Sequence, residues 1–348
     1  MSGPSSRSFV PSCERMRAMA RTRPTAALVL SLVLMAAACT GGGSDANTPT
    51  TAAPTSSAAS NFAAQIVPDD FAVNRPERVQ VGIFSSTQDA GVQVVSFGDI
   101  SVDFAYRGTD GSAAAQPGPS TTFSYLPAPM SAADGQGPAL TNPSDAAGVY
   151  QGEGIRFDKV GVWTATIDAD VDTIGPLTLE TNFAVRDQPA LPAPGQKALK
   201  TENLTVDSKD VKPVSIDSRA QDGDPIPDPE LHQWTIADAI AQGRPALVLF
   251  ATPVYCQSHF CGPSVEALQQ LAADYPDKAV YIHVEIWRDY NKSVVNQGAA
   301  DWLYRNDNLT EPWLYLIDDK GVIADRWGPL FDTDEVGQVL SQLPDMKG

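Results

Sequence analysis

Apolar and polar positions divide the chain into segments of different period. Residues 26–38 form an apolar run broken only by Ser31. This is short of the roughly 20 residues that span a bilayer. Residues 40–61 hold Gly, Ser, Thr, Ala and Pro with hardly a large apolar side chain. Such a segment buries no core and predicts a disordered tether. From 62 to 187, apolar and polar residues alternate in short runs bounded by Gly, Pro and Asp, at 78–84, 92–97, 100–106, 121–125, 148–157, 161–167 and 177–185. Alternation of period two predicts strands, and about seven of them predict an antiparallel sandwich. The Pro-, Gly- and Ala-rich stretch at 117–143 predicts a long loop, and 188–227 a linker whose middle, 199–215, has some β character and either stays loose or wraps onto the following domain.

Residues 228–346 change rhythm. Thr235 is placed to cap a helix over 236–242 that Gly243 ends. A buried strand follows at 246–251. Val265, Leu268, Leu271, Ala272 and Tyr275 then recur at helical spacing. A strand at 279–287, a helix at 296–305 and a strand at 312–317 come next. Asp318-Asp-Lys-Gly321 turns the chain into a last strand at 322–327. Asp332 caps a final helix whose inward positions are Val336, Val339, Leu340 and Leu343.

Charge and cysteine usage narrow the function. The formal net charge is −18, which argues against nucleic acid and against electrostatic docking on anionic lipid. Four cysteines occur: Cys13, Cys39, Cys256 and Cys261. Arg15, Arg17, Arg21 and Arg23 precede the apolar run, which ends in Met35-Ala-Ala-Ala-Cys39 and is followed by Thr-Gly-Gly-Gly. This arrangement resembles a bacterial lipoprotein signal. The resemblance implies export, cleavage of residues 1–39 as a signal, lipidation of Cys39 and anchoring of an extracytoplasmic protein to the cell membrane. An ordinary cleaved signal with Cys39 incidental is the alternative. Outside the cytoplasm a close cysteine pair tends to be oxidised.

The pair lies in Phe250-Ala-Thr-Pro-Val-Tyr-Cys-Gln-Ser-His-Phe-Cys-Gly-Pro263, where the apolar strand hands over to a helix. A helix N-terminus favours a thiolate. With the element order and Pro312 ahead of the final hairpin, the region 228–346 resembles the thioredoxin fold. The stretch 148–167, with Phe157, Gly161 and Trp163, loosely resembles an immunoglobulin-like domain. The expected fold class is therefore multidomain: an all-β immunoglobulin-like sandwich at 62–187, a linker at 188–227 and an α/β thioredoxin-like domain at 228–346. The thioredoxin resemblance implies that Cys256 is the nucleophile, that Cys261 resolves the mixed disulfide, and that Pro312 is cis and packs on the pair. His259 and Glu311 would support the site. The chain differs from that family in three places. Four residues separate the cysteines instead of two, Leu249 stands where a buried acid relays protons, and Glu311 precedes the proline.

Three functions remain open on these residues. The first is thiol–disulfide exchange with client protein thiols or disulfides and no cofactor. The second is a non-enzymatic surface adaptor in which the pair is a structural disulfide. The third is copper binding by the two cysteines and a histidine. The available histidines are His232, His259 and His283. Alternation places His283 and Glu285 on one strand face with Tyr281 and Trp287, as an internal hydrogen-bonded pair or a tuning group, and His232 reads as a surface residue.

Overall fold

The computed structural model describes residues 61–346 apart from 69, 130, 133–134, 257–259 and 306–307. Cys39, nearly all of the expected tether and His259 therefore lie outside the described residues. The chain is predominantly β-sheet. Its N-terminal part holds ten strands: β1 (Phe62–Val67), β2 (Phe71–Ala72), β3 (Glu77–Thr87), β4 (Gly91–Ser96), β5 (Asp99–Tyr106), β6 (Gln116–Pro127), β7 (Ala139–Thr141), β8 (Gly148–Ile155), β9 (Gly161–Val171) and β10 (Gly175–Arg186). All ten belong to one hydrogen-bonded, curled sheet ordered β2-β10-β9-β5-β6-β8-β3-β4-β7, with β1 paired to β3. The sequence pattern predicted about seven strands in two packed layers.

Alternation builds its core. Ile100, Val102 and Phe104 of β5, Trp163, Ala165 and Ile167 of β9, and Phe183 and Val185 of β10 all point inward. The ring of Phe157 packs against Trp163 at 5.0 Å and against Phe104 and Phe183 at 5.3 Å. Such tilted aromatic contacts add to the burial energy. Gly161 enters β9 at φ +141°, where a Cβ would sit 2.6 Å from the Gly108 carbonyl oxygen.

The loop expected over 117–143 is shorter, because β6 runs to Pro127. Residues 116–124 of β6 pair with β5, and pairing with β8 begins at Ser124. Pro117 and Pro119 thus lie where the strand has a partner on one side only, which is where a strand accepts residues without an N–H.

The C-terminal part is a four-stranded sheet of β11 (Ala246–Ala251), β12 (Val280–Glu285), β13 (Trp313–Ile317) and β14 (Ile323–Trp327), ordered β12-β11-β13-β14. Strand β12 is parallel to β11, β13 is antiparallel to β11, and β14 is antiparallel to β13. The helices are α1 (Ile236–Ala241), α2 (Cys261–Asp274), α3 (Gln297–Leu303) and α4 (Thr333–Ser341). A parallel pair needs a crossover, and α2 supplies it. Every residue of β11 is buried, because both faces are covered. Val248 and Phe250 share a core with Ala239 of α1 and Trp302 of α3. Leu247 and Leu249 share the other with Leu268 of α2 and Leu340 of α4. Thr235 Oγ1 accepts from the Asp238 amide at 2.9 Å and the Asp332 carboxylate from the Asp334 amide at 2.8 Å, so both expected caps form. Gly243 follows α1 at φ +63°.

The segment at 188–227, expected as a linker, is fastened to this sheet by hydrogen bonds. Gly195 and Gln196 exchange backbone bonds of 2.8 and 2.9 Å with Ile323. Asn203 accepts from the Ile236 amide at 2.8 Å and donates to the Trp234 carbonyl at 3.1 Å. Its composition is poor in large apolar residues, so the polar bonds that hold it leave no periodic trace. Asp217 and Ser218 are fully buried in it.

The two sheets belong to one compact unit. Strand β3 joins them through its second face: Val79, Val81 and Ile83 enter the β core, while Arg78 and Gln80 point the other way. Arg78 makes a two-pronged pair with Asp325 at 3.0 and 3.2 Å and also meets Glu335. Gln80 donates to the Leu330 carbonyl at 2.8 Å. Beside them Arg326 bonds the buried Asp70 at 2.8 Å and lies 4.9 Å from the Trp313 ring centre.

Candidate active site around the cysteine pair

Strand β11 ends at Ala251, and a turn through Thr252, Pro253 and Val254 carries the chain to Tyr255 and Cys256. Cys261 is the first residue of α2. The two cysteines form a disulfide, with Cα atoms 6.0 Å apart, within the ordinary span for such a bond. Cys261 is fully buried, and Cys256 retains 9% exposure. Cys256 is thus the more exposed residue of the two.

Glu311 reaches the pair from the approach to β13, and the Glu311–Pro312 peptide is cis. A carboxylate oxygen of Glu311 and both sulfurs lie within 4.8 Å of one another. Glu311 Oε2 is buried and makes no hydrogen bond among the described residues. Burial, and secondly the charge of Glu285, push the Glu311 carboxyl up to about 7. Desolvation disfavours the charged form, and a like charge adds to it.

Glu285 ends β12 and is 2% exposed. It accepts from the Ser218 amide at 2.8 Å and the Trp287 amide at 3.0 Å. Burial raises its carboxyl above the ordinary range, and His283 and these hydrogen bonds offset only part of that. His283, two residues earlier, bonds the Ala251 carbonyl through Nε2 at 3.2 Å. Its Nδ1 and the Nε2 of His232 each lie 3.4 Å from Asp217 Oδ2. Burial opposes ionisation of Asp217, but hydrogen bonds from His232, His283 and Arg219 outweigh it and hold the carboxyl below its ordinary range. Arg219 grips both Asp217 oxygens, at 3.0 and 2.7 Å, and Asp228 at 2.6 Å.

His232 was expected at the surface and is fully buried. It sits in the short turn Pro229–His232, whose Leu231 is also buried. Its burial depends on Asp217, a residue of the apparent linker, and no local pattern at His232 signals that partner. His232 and His283 both face Asp217, and among the described residues the third group beside the cysteines is Glu311. Leu249, where a buried acid would stand in a thioredoxin, is fully buried in the apolar core. Among the described residues the acid beside the pair comes from the approach to β13, and Glu285 at the end of β12 acts on it in turn.

Residues next to the pair in the chain, Tyr255, Phe260 and Pro263, and Glu311 line a cleft of about 1530 Å³ formed by both parts of the molecule. Phe84 and Phe183 line it from the β-rich part, and Tyr255, Phe260, Glu311 and Pro312 from the α/β part. The rings of Tyr255 and Tyr290 stack at 4.0 Å with 3° between their planes, forming an apolar wall. No helix among the described residues is long and apolar enough to cross a membrane. Comparison with known proteins finds no matching family model and no matching curated protein.

Proposed function

We propose that the chain is an extracytoplasmic thiol–disulfide exchange protein that works through Cys256 and Cys261. The observation that carries this reading is the seat of the disulfide. It joins the turn after a central strand to the first residue of a helix, with a carboxyl beside it that has a buried, unbonded oxygen. A disulfide serving only as a staple has no use for such an acid, because leaving a buried acceptor unsatisfied costs about 1–3 kcal/mol. The order β12-β11-β13-β14, with one parallel and two antiparallel neighbours, supports reading the α/β part as thioredoxin-like. We read the β-rich part as immunoglobulin-like. The cleft exceeds the roughly 300–1,000 Å³ of ordinary small-molecule pockets and suits a segment of a client polypeptide. Anchoring through a lipid on Cys39 completes the proposal.

The test is a redox titration of the purified protein against glutathione or dithiothreitol buffers, with Cys256→Ser beside it. Exchange proteins have potentials of about −120 to −270 mV, whereas structural disulfides lie below about −300 mV. A value in the first range, with exchange abolished in Cys256→Ser, supports the reading. A value in the second range makes the pair structural and favours an adaptor. Metabolic labelling with a radioactive fatty acid, lost in Cys39→Ala, tests the anchor.

A further inference from the structure

We propose that Glu311 is the proton shuttle of the cysteine pair, taking the thiol proton of buried Cys261 and returning it in the reverse step. The inference rests on the exchange function proposed above. In the forward step, Cys256 is joined to a client sulfur and Cys261 carries a thiol. The Glu311 carboxylate removes the thiol proton, and the Cys261 thiolate attacks the Cys256 sulfur. A Cys256–Cys261 bond forms and the bond between Cys256 and the client sulfur breaks. The client leaves as a thiolate and takes a proton from water. The protein pair is oxidised by two electrons and the client disulfide is reduced. In reverse, a client thiolate opens the disulfide and Glu311 protonates the departing Cys261.

Three observations carry the assignment. First, Cys261 is fully buried, so its proton needs an internal acceptor. Second, a Glu311 oxygen lies within 4.8 Å of both sulfurs, a distance bridged by one water or a side-chain rotation. Third, Glu311 Oε2 is buried and unbonded among the described residues in the disulfide form. Reduction creates an S–H donor near this carboxyl, so the reduced pair supplies the kind of group it can engage. The facing groups are few. Glu285 approaches from β12, but its carboxylate is engaged by the Ser218 and Trp287 amides. Cys256 and Cys261 face Glu311 from the turn and from α2, and His259 lies outside the described residues. Leu249 on β11 offers no proton. A carboxyl raised to about 7 is poised both to accept and to donate near neutral pH.

The experiment follows reduced full-length protein reacting with oxidised glutathione in rapid-quench mode from pH 5 to 9. Mass spectrometry separates formation of the Cys256–glutathione mixed disulfide from its resolution by Cys261. Wild type is expected to resolve with an inflection near pH 7. Glu311→Gln should resolve about 100-fold more slowly at pH 7, within the usual range for loss of an acid–base group. Its rate should then climb with pH toward wild type, and mixed-disulfide formation should change far less. Glu311→Asp should keep the inflection at an intermediate rate, and Glu285→Gln should move the inflection without abolishing it. If Glu311→Gln does not fold, Glu311→Asp decides: a profile without the inflection overturns the assignment. Equal resolution profiles for wild type and Glu311→Gln also overturn it, while leaving the exchange function intact. If wild type forms no mixed disulfide, or never resolves one, the exchange function itself fails.

Discussion

Glu311→Gln should also change the pH dependence of stability, independently of any catalysis. The carboxyl moves from an ordinary 4.5 to about 7 on folding, chiefly through burial. A raised carboxyl is neutral by preference in the folded state. Its favourable contribution is therefore complete below pH 4.5 and lost as pH rises through about 7. At about 1.4 kcal/mol per pH unit the full span corresponds to about 3 kcal/mol. The residue is only partly buried, and solvent screening brings the expected figure to about 2 kcal/mol. Glutamine keeps the shape and cannot ionise. The oxidised wild-type protein should lose about 2 kcal/mol relative to Glu311→Gln between pH 5 and pH 8. The assay is urea denaturation of both proteins at pH 5, 6.5 and 8 at fixed ionic strength, with midpoints compared at a common slope. Glu285 is displaced in the same direction, so some dependence persists in the variant. Parallel profiles, or a variant less stable than wild type at pH 8, would refute the desolvated state of this acid.

Removing the disulfide with Cys256→Ser/Cys261→Ser should cost only about 2 kcal/mol, because the bond closes a loop with a sequence separation of 5 and loop-closure entropy is small at that length; calorimetry showing loss of folding would mark the bond as a staple. Arg326→Ala should cost about 3 kcal/mol by removing the nearer of the two cations of buried Asp70, Arg326 at 2.8 Å, and leaving Arg186 at 3.8 Å, read as a lower denaturation midpoint, and Asp70→Asn/Arg326→Met should recover part of it. Asp217→Asn should destabilise the protein most above pH 5, because a depressed carboxyl contributes stability above its unfolded value and loses it as pH falls. Proton NMR of the His232 and His283 ring resonances should then show both environments change together.

Much of the α/β part was legible in the chain. Every residue of β11 is apolar because helices cover both faces, and an unbroken run such as 246–251 is what a strand covered on both sides requires. The caps at Thr235 and Asp332 form because a short side-chain oxygen reaches the free amides of the first turn whatever surrounds the helix. The β-rich part was legible in its strands and not in their assembly. Alternation says which residues face inward, but it does not distinguish two packed layers from one sheet that curls. Strand β6 shows a further blind spot: Pro117 and Pro119 resemble a loop until half of the strand proves to lack a second partner.

The candidate site divides along the same line. Cys256, Cys261 and Pro312 are recognisable because a local run of residues carries them. The acids and imidazoles behind them are assembled from distant segments: Asp217 and Ser218 from the apparent linker, His232 from a short turn, His283 and Glu285 from β12, and Glu311 from the approach to β13. The segment 188–227 thus has more than a connecting role. By donating the Ser218 amide to Glu285, it favours the charged form of the carboxyl whose field reaches Glu311. A change in that segment that frees Glu285 from Ser218 should raise the Glu285 carboxyl further and leave it neutral more of the time. The repulsion on Glu311 would then fall, and its carboxyl would drop toward the ordinary range. On the proposed mechanism, the proton behaviour of the cysteine pair is set in part by a stretch of chain with no cysteine, no periodicity and no regular strand or α-helix.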